Sequence, residues 1–133
     1  MRGLKPSIIV PGSSAVLTVP KPPAYLSRDA KTEWKRVAHI LTHERKVLTE
    51  ADLAALENYV IAVATMREAH RELQTSGLII NGKRNPVSTI LKDSQMLSLR
   101  AASELGLTPA ARSRATIMHV SEDNGDDNPL AVV

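Results

Sequence analysis

The string from Gly77 to Arg84 is the nearest approach to a chemical motif in this sequence. Gly77-Leu-Ile-Ile-Asn-Gly82-Lys83-Arg84 follows GxxxxGK[ST], the loop whose backbone amides cradle phosphates, up to its last position. There Arg84 stands where a hydroxyl must hold Mg²⁺. A phosphate loop also joins a strand to a helix, whereas helical periodicity precedes this string and Asn85-Pro86 follows it. It reads instead as a helix C-cap and a hairpin, so no ATPase is expected. His39 and His43 have the i, i+4 spacing that can chelate zinc, but no third ligand and no HExxH accompany them. The absence of cysteine removes disulfides, thiol catalysis and thiolate metal sites. Carboxylates are scattered over helical faces without the spacing of a general acid–base pair, and no serine sits in a GxSxG elbow. The expectation is a non-enzyme with no cofactor and no metal.

What remains is positive charge in clusters. Arg28, Lys31 and Lys35, with His39, recur at helical spacing. Lys83 and Arg84 sit where a hairpin tip would be. Arg112 and Arg114 lie close together near the end, and Arg2, Lys5 and Lys21 mark the beginning. The chain's net charge of +3 hides an asymmetry. Residues 121–133 carry Glu122, Asp123, Asp126 and Asp127 with no basic residue, so the tail's −4 leaves +7 on everything before it. A basic body with an acidic tail points to an anionic partner, with the tail a competitor for the same surface or a solubility aid. Contacts from such clusters to phosphates would be salt-dependent and weakly sequence-selective.

The elements that must carry these groups follow from the apolar pattern. The chain of 133 residues suits one compact domain with tails, and its core must be aliphatic, since Tyr25, Trp34 and Tyr59 are the only aromatics. No apolar run approaches the roughly 20 residues that span a bilayer, and Pro6, Pro11 and Gly12 interrupt any export signal. Residues 1–23, rich in Pro, Ser and Gly, read as a flexible arm, residues 24–120 as a helical core, and residues 121–133 as a disordered acidic tail. A first helix starts at the N-cap Ser27, with Ala30, Trp34, Val37 and Leu41 as its core stripe. Thr49-Glu50-Ala51-Asp52 is a capping-box variant opening a second helix that runs to Ser76. That helix is about 40 Å long at 1.5 Å per residue. Its apolar face holds Leu53, Leu56, Val60, Val63, Met66 and Leu73, while Ile61 falls among Glu57, Glu68 and Glu72. So much apolar surface exceeds what two short neighbours cover, which makes Val60, Ile61, Val63 and Met66 candidates for a subunit contact. Asn81-Gly82 predicts a type I′ hairpin. A third helix over residues 87–105 has Ile90, Leu97 and Ala101 as one apolar stripe, and Thr108-Pro109 opens a short fourth. The fold class is mainly α, with three to four helices, a long central helix and one small β-hairpin.

The order of these signals resembles the phage terminase small subunit family of tailed double-stranded DNA phages, over about residues 20–115. Pro22-Pro23-Ala24-Tyr25-Leu26-Ser27 precedes a helix with Ala30 and Glu33-Trp34. Leu48-Thr49-Glu50-Ala51-Asp52, then Ala55-Leu56 and Tyr59, resembles the family's opening of the long helix. Gly77-Leu78-Ile79, Asn81-Gly82 and Asn85-Pro86 resemble its hairpin. Gly106-Leu107-Thr108-Pro109-Ala110-Ala111-Arg112 resembles its GLTPASR ending, with Ala111 where Ser is usual. The resemblance implies a helical protein that assembles into a ring and recognises the packaging site on viral DNA. Such a protein presents that DNA to, and modulates, a large terminase subunit holding the ATPase and nuclease, in the host bacterial cytoplasm. No separate helix-turn-helix precedes the long helix, so every basic cluster stays a candidate for DNA contact. Other readings are an oligomeric helical scaffold that binds an acidic protein, or a small DNA-binding regulator unrelated to packaging.

Overall fold

The computed structural model describes residues 15–114 together with 116 and 117. Helix α1 (Arg28–His39) begins as its capping residue dictates: the Ser27 hydroxyl accepts from the Ala30 amide at 3.3 Å. Its last turn widens into a π-helical segment, Ile40–Glu44, that buries Leu41 and Thr42. A short loop follows, in which Lys46 adopts a positive φ of 53°. Thr49 then starts a 3₁₀ turn, Glu50–Asp52, leading into α2 (Leu53–Ser76). The Asp52 carboxylate accepts from the Thr49 amide at 3.0 Å and from its hydroxyl at 2.9 Å, so the shorter acid closes the capping box. Helix α2 ends at Gly77, whose φ of 83° is strained for any residue with a Cβ.

The hairpin forms as Asn81-Gly82 requires, with φ of 51° and 74° at the two turn residues. It is small. Strand β1 (Ile79–Ile80) pairs antiparallel with β2 (Lys83–Arg84), Ile80 opposite Lys83 and Ile79 opposite Arg84. Asn85 holds its base. This side chain is 1% exposed and donates to the Ser76 hydroxyl at 2.9 Å and to the Gly77 carbonyl at 2.8 Å. Its own oxygen accepts from the Val87 amide at 3.0 Å, at the start of α3 (Val87–Glu104). Gly106 closes α3 with a φ of 70°, and residues 109–114 form a final helical turn capped by the Thr108 hydroxyl, 3.1 Å from the Ala111 amide.

Both α1 and α3 pack on α2. The core lies mainly between α1 and α2, where Trp34, Val37, Leu41, Leu48, Leu56 and Val60 are fully buried. Two features of this packing add to the sequence reading. The segment 15–23, the end of the proline-rich arm whose apolar residues suit docking, lies along this core. The Val16 amide donates to the Leu48 carbonyl at 2.8 Å, the Trp34 indole donates to the Pro20 carbonyl at 2.8 Å, and Val16 and Val19 pack against the buried cluster. Proline withholds an amide but not a carbonyl, so a proline-rich strand can still satisfy a buried donor. The second is on α3. Ile90 and Leu97, two residues of its apolar stripe, are 49% and 56% exposed, and the helix buries Ser94 and Ser98. Each serine hydroxyl donates to a carbonyl of its own helix, to Ile90 at 2.6 Å and to Gln95 at 2.9 Å, so burying it leaves no polar group unsatisfied. Small side chains at this contact let the two backbones approach.

Residues 1–14 and 118–133, which hold Arg2, Lys5 and the acidic tail, lie outside the described residues. No helix among the described residues is long and apolar enough to cross a membrane.

Candidate nucleic-acid interface

The basic clusters occupy the two ends of the helical stack and the outer face of α1. Ion pairs and hydrogen bonds fix this layout. Arg71 near the end of α2 pairs with Asp29 at the start of α1 at 2.5 Å. The Arg45 guanidinium, just after the π-helical segment, donates to the Gly106 carbonyl beyond α3 at 2.5 Å. Both α1 and α3 therefore run antiparallel to α2. Arg28 and the hairpin residues Lys83 and Arg84 share one end. Arg112 and Arg114 share the other with the loop after α1.

Arg28 and Lys35 are exposed on the outward side of α1, with His39 one turn further on, and Lys31 is half-buried at the edge of that face. The spacing is about 6 Å of helical rise per four residues. Lys83 and Arg84 project from β2, where Arg84 Nε is held 2.8 Å from the Ser88 hydroxyl. Arg112 and Arg114 are exposed but turned back on the fold: one donates to the Leu107 carbonyl at 2.9 Å, the other to the Ser103 hydroxyl at 3.0 Å. Lys21 is exposed on the segment that covers the core. The three clusters lie on different elements, α1, the hairpin and the final helical turn.

A second set of arginines escapes sequence reasoning. Glu33, expected only as part of the first helix, is 2% exposed. Arg36 Nε donates to it at 3.1 Å, Arg67 at 3.3 Å and the Tyr59 hydroxyl at 2.8 Å, so one carboxylate joins α1 to α2. Burial opposes its ionisation. The hydrogen bonds from Arg36 and Tyr59 and the charges of Arg36 and Arg67 outweigh that, and hold the carboxyl below its ordinary range. Burial, followed by the hydrogen bond to Glu33, pushes the Tyr59 phenol up to about 12. The Glu33–Arg36 spacing of i, i+3 was a visible signal; the reach of Arg67 from another helix was not.

Pairing separates the cations into two groups. Arg36 and Arg67 share Glu33, and Arg71 pairs with Asp29. Arg28, Lys31 and Lys35 form no ion pair among the described residues. The outward face of α1 thus carries charge that the fold itself does not use.

The candidates for a subunit contact divide as well. Val60 and Val63 are 0% and 5% exposed and belong to the buried cluster of the protomer. Ile61 is 38% exposed and Met66 half-buried. The His39 and His43 rings sit tilted at 59° with centroids 5.0 Å apart, and no group of three or more metal-ligating side chains converges among the described residues. The phosphate-loop-like string holds Gly77 as a helix cap and Lys83 in a strand, the arrangement expected of a hairpin.

The model of the family described as phage terminase, small subunit, matches residues 30–122, more than half of the chain. The chain belongs to the phage terminase small subunit family. The match takes in all three long helices, from the third residue of α1 onward, and the hairpin. No curated protein and no solved structure matches the chain significantly. For this family member, packaging of phage DNA is therefore the setting in which the basic face of α1 must be read.

Proposed function

We propose that this terminase small subunit is a non-catalytic packaging adaptor that binds double-stranded viral DNA through the outward face of α1. It assembles into a ring, presents DNA at the packaging site to the large terminase subunit, and regulates the ATPase and nuclease held there, in the host bacterial cytoplasm. The observation that carries the DNA contact is the contrast in pairing: Arg28, Lys31 and Lys35 keep their charge for an external partner, while Arg36, Arg67 and Arg71 spend theirs on Glu33 and Asp29. Lys83 and Arg84 on the hairpin extend the same polarity beyond the start of α1. The backbone of DNA is the partner such a stripe fits, since phosphate contacts need cations at helical spacing and no special side-chain geometry.

Fluorescence anisotropy with labelled duplex, over a salt series, tests this. The wild-type affinity should fall linearly with salt on logarithmic axes. Arg28→Ala with Lys35→Ala should weaken binding at every sequence and flatten the slope by about 0.9 per lost phosphate contact. An unchanged slope in that variant, with loss instead in Lys83→Ala/Arg84→Ala, would move the interface to the hairpin.

A further inference from the structure

The outward face of α1 is a helix face without a partner. Arg28 and Lys35 are exposed on it, Lys31 is half-buried at its edge, and none of the three forms an ion pair among the described residues. The same chain carries the opposite charge in one short stretch. Glu122, Asp123, Asp126 and Asp127 fall within six positions of residues 121–133, a stretch with no basic residue that lies outside the described residues. The cations from Arg28 to Lys35 cover about 11 Å of helical rise. The acids from Glu122 to Asp127 cover about 17 Å of extended chain, so the two rows match in length as well as in sign.

The place where the described chain ends sets the reach. Arg45, just after the π-helical segment, holds the Gly106 carbonyl at 2.5 Å, and Arg114 turns back to the Ser103 hydroxyl at 3.0 Å. The chain therefore leaves the fold at the end of the stack where α1 finishes. Measured by helical rise from His39, Lys35 lies about 6 Å and Arg28 about 17 Å back along α1. Glu122 and Asp127 are five and ten residues past Ile117. At full extension they lie about 17 Å and 34 Å beyond it, which is enough to follow the row from Lys35 to Arg28. Arg112 and Arg114 are nearer but already donate to the Leu107 carbonyl and the Ser103 hydroxyl, and Lys83 and Arg84 sit at the opposite end.

We propose that the acidic segment 121–133 docks on the outward face of α1, its carboxylates on Arg28, Lys31 and Lys35, and competes there with DNA phosphates. The inference rests on α1 as the DNA-contacting face and adds the regulation of that face. A competitor on a short tether acts at an effective concentration of about millimolar, so weak charge pairing is enough to discount DNA affinity. The discount falls mainly on non-specific binding, which is almost wholly electrostatic, and leaves contacts of other kinds untouched. Such a tail favours the DNA site that offers more than phosphates.

Energy transfer tests this in the full-length chain. Trp34, the single tryptophan, adjoins Lys35, and the chain has no cysteine, so Asn128→Cys admits one acceptor dye whose transfer from Trp34 reads the approach of the tail to α1. Transfer at low salt should be high. It should fall with added salt, with all four tail acids changed to amides, with Arg28→Ala/Lys35→Ala, and on addition of excess duplex. The amide tail should also bind duplex several-fold more tightly at low salt, with the difference vanishing at high salt. Transfer that neither set of substitutions lowers would overturn the docking. Transfer lost in Arg112→Ala/Arg114→Ala but kept in the α1 variant would overturn the choice of α1. Transfer that survives saturating duplex would overturn the competition. If neither tail binds duplex, the DNA reading falls and the competition with it, while transfer in the DNA-free protein still decides the docking.

Discussion

Trp34, Leu41, Leu56 and Val60 fill the space between α1 and α2, whereas small residues, Ser94 and Ser98 with Ala62 and Ala69, are buried where α3 meets α2. The first contact removes large apolar groups from water and adds a buried carboxylate with three donors. The second buries little apolar mass and keeps its larger side chains outside. At about 25 cal/mol per Å² of apolar surface buried, the large side chains between α1 and α2 contribute substantially to protomer stability. The α2–α3 contact positions a surface.

Substitutions can break or sharpen this contrast. The largest effect belongs to Trp34→Ala, which removes a side chain 2% exposed together with its hydrogen bond to Pro20. It should cost about 3–5 kcal/mol and lower the denaturant midpoint sharply. A small loss would mean that α1 is not the stabilising partner.

Next comes Glu33→Gln, expected to cost about 2 kcal/mol because charged hydrogen bonds are lost while the outer ends of Arg36 and Arg67 stay solvated. The pH dependence has a fixed sign. The Glu33 carboxyl titrates below 4.5 in the folded chain, so its contribution is present above that value and disappears as pH falls through the lower folded one. The gap between wild type and variant should therefore close in acid. Tyr59 acts at the other extreme. Its phenol is raised from 10.0 to about 12, so its contribution is full below 10.0 and is lost as pH rises toward 12. Tyr59→Phe should lack that alkaline loss in urea titrations.

On the other side of α2, Ser94→Leu forces a large group into the close contact with α3. It should cost about 1–3 kcal/mol by overpacking. A stabilised variant would show that the contact is loose rather than close. The smallest effect is expected from Asp52→Ala, which opens the capping box before α2 and should cost about 1 kcal/mol, measurable as a shift in thermal midpoint.

The elements were largely legible in the sequence because their signals are local. Ser27, the Thr49–Asp52 box, Asn81-Gly82 and the Gly77 and Gly106 caps each act within a few residues, and each lies where its chemistry requires. The core stripe of α1 was equally readable. The orientation of α3 was not, because periodicity identifies an apolar stripe without saying whether it faces the same protomer. Ile90 and Leu97 form such a stripe, yet the serines beside them allow the closer approach and satisfy themselves on their own helix. Where residues 15–23 dock was not legible for a related reason: the Trp34 indole needs an acceptor, and the carbonyl that meets it lies 14 residues away. Of the candidate site, the α1 stripe could be listed from spacing alone. Which cations are already committed depends on Arg67 and Arg71, which reach Glu33 and Asp29 across 34 and 42 residues.

Arg45 ties the loop after α1 to the Gly106 carbonyl beyond α3, 61 residues away in sequence. Mechanically this is a strap across the end of the helical stack. A pull applied to the chain past residue 114 meets the strap before it reaches the hydrophobic core, and is delivered to the π-helical end of α1. The helix bearing the unpaired cations and the segment leading to the acidic tail therefore share one anchor point.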